Sequence, residues 1–167
     1  MSKHGIKGGA TLPPQVLVLG VGNILLCDDG FGVHMINALH GTELPANTEL
    51  LEAGTVSHQL IPLFHEIDHL IVIDAVEAGD VPGSIFKFSP DDLRFHSEQK
   101  MSLHQISLID VLQMTAITGR KPQTVIIGVQ PKDASSWGLE LSSELKAVIP
   151  RVKALVLEEL GKIHTIP

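Results

Sequence analysis

Tyrosine is absent from the 167-residue chain, and phenylalanine and tryptophan together bring the aromatic fraction to only 4%. A protein that grips single-stranded nucleic acid by stacking bases on rings needs a richer supply, so that class is disfavoured. Positive charge is also short: 12 Lys and Arg stand against 19 Asp and Glu, for a formal net charge of -7. With a sequence pI near 5.6, neither a nucleic-acid backbone nor an anionic membrane is the expected partner. The single cysteine, Cys27, forbids an internal disulfide and any zinc site made of this chain's own thiolates, and it fits a reducing cytoplasm. No apolar run nears the ~18 residues of a membrane span, and the opening MSKHGIKGGATLPPQ contains no apolar signal core.

A hydrophobic fraction of 44% suits an ordinary globular core. Residues 1–15, rich in glycine and proline, read as a flexible tail, and residues 16–167 as a single domain. Within that domain, apolar runs alternate with helical spacings. Residues 16–19 (VLVL) form a buried strand ended by Gly20, and residues 31–39 a helix stopped by Gly41. Residues 48–51 make a second strand, followed by a helix that Thr55 or Ser57 can cap and Pro62 bends. Residues 69–74 (HLIVID) are the clearest buried strand, ended by a carboxylate. After the DVPG turn, residues 85–88 form a strand reached without a crossover helix, hence an antiparallel candidate. Ser102 and Gln105 make a capping box ahead of Ile106, Ile109, Leu112 and Met114. Residues 124–129 give a fifth strand, and Leu145, Val148, Ile149, Val152, Leu155 and Val156 trace a last helix that Pro150 kinks or splits. Strands alternating with helices imply an α/β fold, a mostly parallel sheet with helices on both faces.

In such sheets sites form beyond the carboxyl ends of strands. Asp28 and Asp29 follow the first strand, Asp74 ends the third and His104 opens a helix. An acid near a helix start is favoured by the helix dipole whatever the function, but a neighbouring pair exceeds what one cap requires. Asp74, ending an apolar strand, is partly desolvated and needs a cation or hydrogen-bond donors. At a helix N-terminus His104 is disfavoured as imidazolium, and neutral imidazole is the metal-binding form. Two carboxylates and one imidazole suit a divalent metal such as nickel, zinc or manganese, with positions left open. Gly20 and Gly22 match two glycines of a dinucleotide fingerprint, yet Leu25 replaces the third and the two acids repel a pyrophosphate. Cys27 beside those acids is a poor nucleophile and reads as a packed thiol.

The stretch LGVGNILLCDDGFGV, followed in order by LEAGT, HLIVIDAV, SLHQISLIDVL and IIGVQP, resembles the nickel-iron hydrogenase maturation proteases over residues 16–160. The resemblance implies a three-layer α/β/α sandwich of phosphorylase/hydrolase-like type on a five-stranded, mostly parallel twisted sheet. It implies an endopeptidase that clips the C-terminal extension from the precursor of a hydrogenase large subunit after nickel insertion, and no nucleic-acid or membrane partner. Carried over by position, the metal-contacting residues are Asp29, Asp74 and His104, reading nickel held by the precursor; another divalent metal could occupy the site in isolation. Asp28 or Asp29, or a water on the metal, serves as general base or nucleophile equivalent, and Gly54 and Thr55 shape the groove for the peptide tail. Many relatives carry Glu where Asp29 stands, and another small residue in place of Cys27. A nickel-sensing module that does not cut, and a zinc-type hydrolase with its own metal, are the alternatives.

Overall fold

The computed structural model describes residues 13–56, 58–95 and 103–165. The expected tail and the Ser102 half of the capping box lie largely or wholly outside them. Five strands form one sheet in the order β2-β1-β3-β5-β4: β1 (Val16–Val21), β2 (Thr48–Gly54), β3 (His69–Ala75), β4 (Ile85–Phe88) and β5 (Gln123–Val129). The β1–β2, β1–β3 and β3–β5 pairs are parallel, and β4 pairs antiparallel with β5 at one edge. The connection from β3 to β4 needs no crossover helix for this reason.

Side-chain parity along the strands separates two cores. Val16, Val18, Ile71, Ile73, Ile127 and Val129 pack with α1 (Phe31–Leu39) and α5 (Ser143–Thr165) on one face. Leu17, Leu19, Leu70, Val72 and Ile126 pack with α2 (Ile61–Glu66) and α4 (Leu103–Thr118) on the other. Both faces of the central strands are thus covered, which is why those strands read as unbroken apolar runs rather than alternating ones. The fold is the expected three-layer α/β/α sandwich.

Several local expectations change. Strand β2 runs three residues past the predicted end, because its EAG segment continues to pair with β1 through Gly20↔Glu52 and Val21↔Gly54. Pro62 does not bend α2; it sits in the first turn, where a missing N–H costs nothing. Leu60 at the N-cap position makes no side-chain capping bond, and of the two predicted caps Ser57 lies outside the described residues. Pro150 does not split α5, which is one helix from Ser143 to Thr165; Lys146, four residues before the proline, is exposed, so water can reach the carbonyl whose helical donor is missing. A short helix α3 (Pro90–Phe95) follows β4 where none was predicted. In α4 the buried positions are Gln105, Leu108, Val111, Leu112 and Thr115, while Ile106 and Met114 are exposed.

The connections leave β1 for β2 on one side and return to β3 on the other. The crevice beyond the carboxyl ends of β1 and β3 is therefore the topological switch point, where open α/β sheets bind ligands.

Candidate active site

Two glycines set the main chain around that crevice. A side chain at Gly32, in the first turn of α1, would have its Cβ 2.3 Å from both the Ile73 and Val21 carbonyl oxygens. The helix thus rests backbone to backbone on the ends of β1 and β3. Gly22, with φ 134°, turns the chain out of β1, and a Cβ there would fall 1.8 Å from the Asp29 carbonyl oxygen. The intervening loop closes in a single 3-10 turn, Cys27–Gly30, which carries both acids.

Asp74 shares the parity of Leu70 and Val72, so its side chain emerges on the α2/α4 face. There it meets His104 in the first turn of α4. His104 Nδ1 stands 3.8 Å from Asp74 Oδ1, and Nε2 stands 3.8 Å from Asp29 Oδ2. One imidazole therefore faces a different carboxylate with each ring nitrogen. Both distances exceed a hydrogen bond, and Asp74 Oδ1 and His104 Nδ1 are buried with no hydrogen-bond partner. Asp29 is the better anchored acid, its Oδ2 accepting the Asn23 N–H at 2.9 Å. Side-chain exposure is 15% at Asp29, 13% at His104 and 4% at Asp74, so Asp29 and the outer edge of the ring face the opening.

The electrostatics follow from this burial. Desolvation raises the Asp74 pKa, against the opposing pull of His104. The His104 pKa is raised as well, chiefly by Asp74. The pair thus holds on to a proton more tightly than either group would in water. The helix start disfavours imidazolium, as expected, while the two nearby carboxylates favour it. As placed, no three His, Cys, Asp or Glu side chains among the described residues form a ready-made metal cage. The donor set is still chemically suited to a divalent ion, since two buried polar atoms lack partners and two carboxylates converge on one imidazole.

Asp28 is not part of this group. It is fully buried, and its Oδ2 accepts the Lys132 and Asp133 N–H groups at 2.9 and 3.0 Å and the Ser142 hydroxyl at 2.9 Å. Its Oδ1 accepts the Ser142 N–H at 2.7 Å. Ser142 Oγ in turn accepts the Leu145 N–H at 3.4 Å, capping α5. With these four donors converging on it, Asp28, one of the two acids expected as base or nucleophile, has both oxygens engaged and ties the loop after β5 and the start of α5 to the turn after β1. Gln130, which carries no motif of its own, does similar work: its Oε1 accepts the Ala78 and Asp80 N–H groups at 2.8 and 3.2 Å and its Nε2 donates to Glu77 at 2.6 Å. Like Asp74 it is a polar residue ending an apolar strand run, and that signal could have found it.

Beside Asp29 lies a cleft of about 620 Å³ lined by Gly22, Asn23, Ile24, Leu25, Val33 and the β2 end from Glu52 to Thr55. Gly54 and Thr55, expected to shape a groove for the peptide tail, are among its lining residues. Asn23 joins the two features, as cleft wall and as the donor to Asp29.

Residues 33–159 match the family model HycI, described as hydrogenase maturation protease. The chain belongs to this family. It is 40% identical over 140 residues to the hydrogenase expression/formation protein HupD of Rhizobium leguminosarum bv. viciae, covering 82% of this chain and 69% of that one. A second HupD, from Rhodobacter capsulatus, is 38% identical over 151 residues, covering 89% and 72%. Among solved structures, the hydrogenase maturating endopeptidase HybD from E. coli superposes with a TM-score of 0.80 at 33% identity, covering 89% of this chain and 93% of that one. The maturation protease HybD from Thermococcus kodakarensis gives 0.73 at 26%, covering 87% and 98%. The chain is thus a peptidase of hydrogenase maturation. No described helix of this maturation protease is long and apolar enough to cross a membrane.

Proposed function

We propose that this maturation protease removes the C-terminal extension of the large-subunit precursor of a nickel-iron hydrogenase once nickel is in place, reading the metal through Asp29, Asp74 and His104. The observation that carries the reading is the His104 ring set between two carboxylates, with Asp74 Oδ1 and His104 Nδ1 buried and unpartnered. Leaving such atoms unpaired costs on the order of 1–3 kcal/mol each, a cost that a cation arriving with the substrate would relieve. Two acids and one imidazole supply at most three ligands. In this reading the remaining positions fall to the precursor's own groups and nickel enters as part of the substrate, as the family resemblance implies.

Asp29 is the residue placed for proton transfer. It faces the opening, and the Asn23 N–H holds one of its oxygens. In the proposed step a water attacks the scissile carbonyl carbon, Asp29 takes the water's proton, and the proton passes to the amine nitrogen as the C–N bond breaks. Nickel held by the precursor beside Asp29, Asp74 and His104 would supply the charge that polarises the carbonyl or the water. Asp28 takes no step, because its oxygens are committed to the loop. The single Cys27 and the absence of an internal disulfide favour the cytoplasm as the compartment.

The test is to incubate the protein with nickel-loaded and nickel-free precursor and weigh the large subunit. Loss of a C-terminal fragment in the loaded sample alone is the expected result. A stable complex with no loss of mass would instead identify a nickel-sensing chaperone. Cleavage regardless of nickel, with metal retained by the isolated protein, would identify an autonomous zinc-type hydrolase.

A further inference from the structure

The clasp that Asp28 organises presents an unusual surface. Gly138 N–H donates to the Leu25 carbonyl at 2.9 Å, Cys27 N–H donates to the Gly138 carbonyl at 2.8 Å, and Leu26 and Gly138 pair as a parallel bridge. The two segments are pressed together so closely that a Cβ at Gly138 would lie 2.7 Å from Cys27 Sγ. On this fixed support Trp137 is 81% exposed and Leu139 59% exposed, with Ile24 and Leu25 exposed beside them. Single exposed apolar residues are ordinary, but several large ones on one rigid support mark an interaction site. Tryptophan above all contributes binding energy where partners meet.

The ridge runs into the catalytic cleft, since Ile24 and Leu25 belong to both and Asn23, the next residue, bonds Asp29. A substrate delivering a peptide bond to Asp29 by this route passes over the ridge. We propose that Ile24, Leu25, Trp137 and Leu139 form the docking surface for the folded body of the hydrogenase precursor, seating it so that its tail enters the cleft. This rests on the peptidase reading above.

Charge decides among occupants. Glu52 and Asp133 stand around the ridge and cleft, with the Glu140–Lys146 and Glu144–Lys132 pairs beside them, on a chain of net charge -7. An anionic bilayer is repelled, and a second copy would bring like-charged rims together. The fitting partner is a protein with an apolar patch inside a basic rim. Four such side chains bury roughly 400–600 Å² on this side, below the ~800 Å² per partner of a stable complex, as suits a substrate that must leave after cleavage.

The experiment uses the full chain with Trp137→Ala, Leu139→Ser and Gly138→Val, the last opening the clasp without removing an apolar side chain. Ile117→Ala, 83% exposed at the far end of α4, is the control. Cleavage of loaded precursor should show KM rising about 30-fold for Trp137→Ala, with kcat held within about twofold and the melting temperature kept. Leu139→Ser and Gly138→Val should also raise KM, and Ile117→Ala should not. Wild-type cleavage with KM and precursor Kd unaffected by Trp137→Ala overturns the docking surface and leaves the peptidase reading standing. The docking surface is equally overturned if Trp137→Ala abolishes only self-association or binding to anionic vesicles. Precursor binding that depends on Trp137, without cleavage by the wild type, keeps the surface and removes the peptidase reading. If the wild type neither binds nor cuts, both fall.

Discussion

The 3-10 turn Cys27–Gly30 carries two adjacent carboxyls in opposite surroundings. Around Asp28, four donors converge on two oxygens in a fully buried site. One residue on, Asp29 accepts a single N–H and faces a histidine that a second acid also faces, with unpartnered polar atoms beyond it. The satisfied acid holds two parts of the chain together. The unsatisfied cluster lowers the stability of the fold and keeps its bonding capacity for something that arrives later. Burial alone does not separate the two roles, because Asp28 and Asp74 are both buried; the balance of partners does.

That contrast can be broken by substitution, and the largest effect belongs to the open cluster. Asp29→Ala, Asp74→Ala and His104→Ala should each cut nickel-dependent cleavage by about a thousandfold or more while the melting temperature stays near that of the wild type. Normal cutting by Asp74→Ala would remove that acid from the site. Next comes Asp28→Ala, which strands donors from three residues in a dry site and should cost about 3 kcal/mol, roughly 6–12 °C in melting temperature by calorimetry. If Asp28→Ala kept its stability and lost only activity, the division between the two neighbours would be wrong.

The smallest effect has the opposite sign. Asp74 is raised above the ordinary carboxylate value of 3.8, so the folded state keeps its proton longer than the unfolded one. His104 is likewise raised above 6.5. For both groups the folded chain binds more protons, and the stability they contribute is lost as pH climbs from about 3.8 through their raised values. Asp74→Asn, which removes the buried charge, should therefore stabilise the fold more at pH 8 than at pH 5. Melting curves at the two pH values check this, and a loss at pH 8 would mean that the acid is better satisfied than its contacts imply.

Much of the architecture is legible in the sequence because it is local. Buried strands announce themselves as apolar runs, the DVPG turn foretells an antiparallel fourth strand, and Asp74 stands out by ending such a run. What escapes depends on distant pairing. The partners of Asp28 lie 104 to 114 residues away, so its neighbourhood gives no reason to separate it from Asp29. Strand β2 outruns its apolar core because β1 holds its polar end. In α4, apolar residues lie on several sides, and only packing against the sheet shows that Leu108, Val111 and Leu112 face inward while Ile106 does not. Asp29 and His104 are picked out by their own chemistry and by resemblance to a family; their 3.8 Å approach is a product of the fold.

The seating of Gly32 against the Val21 and Ile73 carbonyls fixes how the arms bearing Asp29 and Asp74 are spaced. The turn bearing Asp29 is joined to α1, and α1 lies main chain against main chain on the strand bearing Asp74. Their separation is therefore gauged by peptide groups, which every sequence shares, rather than by the side chains of the core. A substitution in the core can therefore be absorbed while the gap between the two acids keeps its width.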